Sequence, residues 1–110
     1  MKQLMDAVFY LHSDLIRVAH CDIKLDNIMV DRQLNLLLYD FGFAMFGKLN
    51  SLTAGRGTKQ YAAPEILESK TYDGRKTDIF SAGVVLFILA VPVFPFREAT
   101  EDSKTYSLLI

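Results

Sequence analysis

A single cysteine, Cys21, stands in 110 residues, so no disulfide can close within the chain. A lone thiol suits a reducing compartment. One cysteine and two histidines also fall short of any usual zinc-ligand spacing. An excess of one charge is missing too. The net charge is -1, which offers no basic surface to nucleic acid or to an acidic membrane. Lys70, Arg75 and Lys76 cluster in sequence, but read as solvated loop charges. There is no internal repeat and no low-complexity tract. The opening MKQLMDAVFYLHS is too short, and too interrupted by Asp6, for a secretory signal. These absences point to an intracellular, cytoplasmic protein. With 51% hydrophobic and 23% charged residues the chain is no disordered tail, and its length allows one domain.

Long apolar runs are absent with one exception. From Ile79 to Phe96, IFSAGVVLFILAVPVFPF carries no charge for 18 residues, the lower edge of a membrane-spanning length. Pro92 and Pro95 shorten the plausible helix to about a dozen residues. That length suits a helix buried on all sides in a core. No basic flank sets an orientation across a bilayer. A small membrane protein is therefore the weakest reading.

Elsewhere the pattern divides the chain. Residues 2 to 12 place Leu4, Val8 and Leu11 on one helical face, with Met5 and Phe9 beside them. SDLIRVAHCDIKLDN breaks that period and reads as an ordered loop. IMVD and LNLLLYD read as two strands joined by a tight turn. The stretch from Phe41 to Glu65 holds four glycines and shows no sustained period. Pro64 opens a short helix, PEILES, because proline is favoured in a first turn. KTYDGRK reads as a turn. Thr77 suits the N-cap of a helix starting near Asp78. KTYSLLI reads as the start of another helix.

Four local patterns carry chemistry. They are His20-Cys21-Asp22-Ile23-Lys24-Leu25-Asp26-Asn27, then Asp40-Phe41-Gly42, then Gly57-Thr58-x-x-Tyr61-x-Ala63-Pro64-Glu65, then Asp78-Ile79-Phe80-Ser81-x-Gly83-Val84. Their order and spacing, 18 residues from Asp22 to Asp40 and 25 from Asp40 to Glu65, resemble the eukaryotic protein kinase family. Lys24 at its position resembles the serine/threonine branch. The resemblance implies an α+β, mainly α-helical fold: a protein-kinase-like C-terminal lobe with a short β-hairpin, lacking the N-terminal lobe. Residues 1–110 would form a partial kinase domain. The helix before the catalytic loop would span 1–13, the catalytic loop 18–27, the activation segment 40–65 and the central buried helix 77–91.

The resemblance also implies roles. Asp22 would accept the proton of a substrate hydroxyl, and Lys24 would reach the transferring phosphate. Asn27 and Asp40 would hold magnesium that bridges the ATP phosphates. Met29 would form part of the floor under the adenine. Thr58 would bond near Asp22 and help seat the substrate, with Glu65 supporting the activation segment. His20 and Phe41 would stack in a hydrophobic column, and Gly42 completes the second motif. Asp78 would hold the catalytic-loop backbone. ATP and Mg2+ would be the cofactors, and a protein serine or threonine the acceptor.

Each residue has a plainer reading. Asp22 could cap a turn, Asn27 could enter a strand, Asp40 could end one, and Asp78 could be an N-cap. Met29 could be ordinary strand packing.

The chain also departs from the family. It holds no G-x-G-x-x-G loop, no V-A-I-K lysine, and no arginine known to pair with Glu65. Little activity is expected of it alone. Cys21 replaces an arginine that meets an activation-loop phosphate, so dependence on phosphorylation at Ser51, Thr53 or Thr58 should be weak. Asp22 beside Cys21 should raise the thiol pKa. Tyr39 is bulkier than the usual residue and would crowd the nucleotide, and Phe80 stands for a tryptophan. The alternative function is a non-catalytic kinase-like binding module.

Overall fold

Helix α1 (Lys2–His12) forms where apolar residues recur at helical spacing and no proline or glycine interrupts. Leu4 and Val8, one turn apart, are its buried residues. Ser13 ends it in an extended conformation. The structure, a computed structural model, describes residues 1–53 and 55–108.

A hairpin follows from β2 (Ile28–Val30) and β3 (Leu36–Leu38), antiparallel with Met29 opposite Leu37. Its turn is organised by Asp31. One carboxylate oxygen accepts from the backbone N–H of Gln33 at 2.9 Å and of Asn35 at 2.8 Å. These bonds, Asn35's backbone first, hold the Asp31 carboxyl below its ordinary pKa. Gln3 then fixes the hairpin to α1. Its amide nitrogen donates to the Leu34 carbonyl at 2.9 Å and its oxygen accepts from Leu36 N at 2.6 Å. Ile28, Leu36 and Leu38 pack on the core, while Met29 and Leu37 face outward.

A second antiparallel pair was not legible in the sequence. β1 (Val18–Ala19) meets β4 (Met45–Phe46), with Val18 opposite Phe46. Both lie in stretches that read as loops, because two residues are too few to show a period. A short helix α2 (Pro64–Leu67) opens at Pro64. The last helix, α4 (Lys104–Ser107), lies within KTYSLLI, whose residues 109 and 110 are outside the described set.

Helix α3 corrects the expected 77–91 span. It runs Gly74–Ala90, and Asp73, not Thr77, is the N-cap: its side chain accepts from Arg75 N. Arg75 also grips that carboxylate through Nε at 3.0 Å and a terminal nitrogen at 2.8 Å. Burial is corrected as well. The buried residues fall within the first two-thirds, from Gly74 to Val85. Leu86, Phe87 and Leu89 in the remainder are exposed. The neighbours α1, β1 and the 3-10 turns at Leu49–Ser51 and Lys59–Tyr61 pack against α3. Among the described residues no helix is long and apolar enough to cross a membrane.

Two apolar clusters result. One gathers Leu4, Val8, Ile23, Tyr61, Val85 and Phe96. The other gathers Ala19, Cys21, Leu49, Leu52, Ile66 and Tyr72. Cys21 and Ile23 therefore anchor in different clusters, with Asp22 between them.

Two glycines of α3 should respond oppositely to alanine. A Cβ at Gly83 meets nothing within 4 Å, so Gly83→Ala should stabilise by about 0.5–1 kcal/mol through helix propensity. A Cβ at Gly74 would lie 2.7 Å from Ala19 Cβ and 2.8 Å from Leu52 Cδ1. Ala19 is fully buried in β1 and cannot yield cheaply. Gly74→Ala should therefore destabilise. Urea midpoints of the two variants check both signs.

Candidate active site

The loop after β1 is held from below by one carboxylate. Asp78, in the second turn of α3, is buried. Its Oδ2 accepts from the backbone N–H of His20 at 2.8 Å, and its Oδ1 from that of Cys21 at 2.9 Å. His12 Nε2, at the end of α1, donates to Oδ2 at 2.8 Å. One turn further along the same helix face, Ser81 Oγ lies 2.8 Å from the Tyr61 carbonyl. Thus α3 grips the loop after β1 and the segment around Tyr61 together. Cys21 needs this grip because its φ is 64°, left-handed and unfavourable for a residue with a Cβ.

Asp22 follows, nearly buried. Thr58 Oγ1 donates to its Oδ1 at 2.9 Å. Lys24 Nζ reaches Thr58 Oγ1 at 2.9 Å and Asp22 Oδ2 at 3.4 Å. Asn27 Nδ2 donates to the Asp22 carbonyl at 2.8 Å and to Oδ2 at 3.1 Å. Three side chains from two segments thus meet on one carboxylate. The close approach depends on Gly57, whose φ is +91° and whose Cβ, if present, would lie 2.4 Å from the Cys21 carbonyl oxygen.

His20 ties this loop to the strand end that carries Asp40. The Asp22 N–H donates to His20 Nδ1 at 3.2 Å. His20 Nε2 lies 3.0 Å from the Tyr39 carbonyl. Both contacts are satisfied when Nε2 carries the proton and Nδ1 accepts. One imidazole width therefore separates Asp22's backbone from the residue before Asp40. The ring meets Phe41 edge-on, at 4.8 Å between centroids and 62° between planes, not stacked. Tyr39 N donates to the Asn27 carbonyl at 3.0 Å, and its phenol to the Asp26 carbonyl at 2.7 Å. This brings Asn27 and Asp40 to adjacent backbone. Asp40 is itself left-handed, at φ 61°, and its Oδ1 accepts from Gly42 N at 3.1 Å. Left-handed non-glycine residues cluster where surrounding structure over-determines them, often at functional sites.

The remaining sequence candidates are placed as follows. Met29 is exposed on the hairpin. Glu65 lies in the first turn of α2 with no ion pair among the described residues. Two residues were missed. His12 is one, hidden because its partner is distant in sequence. Arg56 is the other. Its Nε is buried without a hydrogen-bond partner, and its guanidinium is close enough to act on the Cys21 thiol. Its position two residues before Thr58 was the available signal.

A family model described as the protein kinase domain matches residues 1–109. The chain belongs to the protein kinase family. It is 42% identical over 100 residues to a serine/threonine-protein kinase SIK3 homolog of Danio rerio, covering 90% of this chain and 8% of that protein. It is 41% identical over 110 residues to the serine/threonine-protein kinase chk1 of Schizosaccharomyces pombe, covering 96% and 21% respectively. With the serine/threonine-protein kinase kin-29 of Caenorhabditis elegans it shares 44% over 104 residues, covering 94% and 12%. The chain therefore spans less than a quarter of the length of these relatives.

Protein kinases use ATP with magnesium. No group of three His, Cys, Asp or Glu among the described residues could close around a metal. Magnesium does not need one, since it takes one or two carboxylates with water and substrate phosphates. The donor set of this kinase chain fits that demand. The nitrogen of the Asn27 amide is committed to Asp22, so its oxygen is the free end. Asp40 has one oxygen bound by Gly42 N and a second without a hydrogen bond among the described residues.

Cys21 gives a pH-dependent test. Burial chiefly, then Asp78, pushes its thiol from the ordinary 9.0 up to about 12; Asp22 raises it too, as expected, but is the smallest cause. The folded protein holds this proton longer than the unfolded chain. Stability should therefore fall as pH rises from 9.0 towards about 12. The buried Tyr61 and Tyr72 phenols, also raised, act in the same direction. Cys21→Ala should reduce that slope in urea titrations. In the native parent at pH 8, a thiol reagent should react only at the rate of unfolding.

Proposed function

We propose that this chain is the C-terminal-lobe part of a serine/threonine protein kinase domain, transferring phosphate from ATP to a protein hydroxyl when the remainder of a nucleotide clamp is present. The observation that supports it most is the convergence of Thr58, Lys24 and Asn27 on the Asp22 carboxylate. A carboxylate has about four acceptor positions. Thr58, Asn27 and Lys24 engage both oxygens, which leaves room for one substrate hydroxyl. Asp22 would take that proton as a general base. Lys24 has three donors, of which contacts to Thr58 and Asp22 use two, so one remains for a phosphoryl oxygen. Asn27 and Asp40 would hold magnesium, which when bound neutralises charge on the phosphates. Met29, half exposed on the hairpin, offers an adaptable surface to the adenine.

The N-terminal lobe is supplied, in this reading, by polypeptide outside these 110 residues. Without it the chain should have little activity, because catalysis requires both substrates in line. A non-catalytic kinase-like module is the second reading.

Calorimetric titration of the chain with magnesium-ATP separates the two. The proposal expects weak binding that requires magnesium and is lost in Asp40→Asn. Absence of binding, or binding unaffected by Asp40→Asn, would favour the non-catalytic module.

A further inference from the structure

The guanidinium of Arg56 has no hydrogen bond or ion pair among the described residues, and its Nε is buried. Two of the other four arginines have partners, and the remaining two, Arg32 and Arg97, are exposed. Arg17 Nε donates to the Asp14 carbonyl at 3.0 Å, and Arg75 binds both oxygens of Asp73. A buried guanidinium N–H with no protein partner is costly, and such a group calls for a partner from outside the chain, a water or a ligand.

The location of Arg56 suggests the ligand. It lines a cavity of about 290 Å³ together with Gly55, Gly57, Lys59, Glu98 and Thr100. Lys59 and Glu98 of the same lining pair at 4.0 Å, while Arg56 has no ion pair among the described residues. Arg56 also borders the small hollow shared by Asp22 and Thr58. Only Gly57 separates it from Thr58, whose hydroxyl is bound to Asp22. A peptide whose hydroxyl lies at Asp22 would thus bring a neighbouring side chain to Arg56. A planar guanidinium fork matches a carboxylate through two parallel hydrogen bonds.

We propose that Arg56 selects acceptor peptides carrying a carboxylate side chain next to the serine or threonine. Arg56 is then a specificity-determining group. It touches the substrate beside the acceptor but none of the reacting atoms. The proposal rests on the acceptor-site reading above, and deepens it by naming the substrate's charge.

The test is peptide binding by the 110-residue chain, which needs no turnover. Two synthetic peptides differ only in Glu or Gln beside a central serine. The parent should bind the Glu peptide at least about tenfold tighter, as expected for one charge-assisted contact. Arg56→Gln should bind both peptides alike, and Arg56→Lys should recover part of the preference. Unchanged far-ultraviolet dichroism shows that each variant is folded. Equal affinity of the parent for the two peptides would overturn the proposal. So would a preference that survives in Arg56→Gln, or no binding of either peptide at millimolar concentration. Amide chemical shifts separate this from the acceptor reading. If the preference depends on Arg56 while Asp22 and Thr58 signals stay unmoved, the docking group stands and the acceptor assignment falls.

Discussion

The Asp78 carboxylate is the contact on which the rest of this structure depends. It is almost fully buried and accepts from three donors on two other segments: His12 Nε2, His20 N and Cys21 N. A buried carboxylate without partners would be strongly destabilising, and each bond to a charged group contributes about 1.5–3 kcal/mol. Three such bonds outweigh the left-handed backbone at Cys21, which costs roughly 1–2 kcal/mol. The strained turn persists because a helix side chain holds both of its amides.

Everything at the site follows from where that turn is held. Residues 21 and 23 enter different apolar clusters, which fixes the direction of Asp22 between them. The His20 ring, immobilised by the same turn, bonds Asp22's backbone on one side and Tyr39's carbonyl on the other. The Asp40 loop is thereby positioned without a direct bond to Asp78. Ser81, one helical turn beyond Asp78, brings the activation segment to the same helix face. Thr58 and Arg56 then reach the catalytic loop across Gly57, where no side chain would fit. Cys21 carries no cation into the loop, and Arg56 brings one close from the opposite segment.

The sequence was most informative where chemistry and short-range periodicity coincide. Asp22, Lys24, Asn27 and Asp40 could be picked out because four ordered motifs are rarer than any one. Helix α1 and the β2–β3 hairpin could be read because their apolar residues keep a period of 3.6 or 2. What could not be read depends on contacts between distant segments. β1 and β4 are two residues each, and 26 residues separate Ala19 from Met45. Asp73-Gly74 is a turn signal by composition, yet it begins α3 because Gly74 alone fits against Ala19 and Leu52. The exposed end of α3 was hidden as well, since an uncharged run gives no face to water. Arg56 carried only one signal, its position two residues before Thr58. Its meaning appears only when the cavity beside Thr58 is seen.

The most direct measurement is native-state amide hydrogen exchange on the parent and on Asp78→Asn. The asparagine keeps the size of the side chain but replaces one acceptor oxygen with a donor, so it cannot accept from all three groups. If the carboxylate anchors the loop, the His20 and Cys21 amides should be strongly protected in the parent and lose protection together in the variant, while amides in the middle of α1 keep theirs. His20 and Cys21 exchanging at the parent's rate in Asp78→Asn would contradict the account.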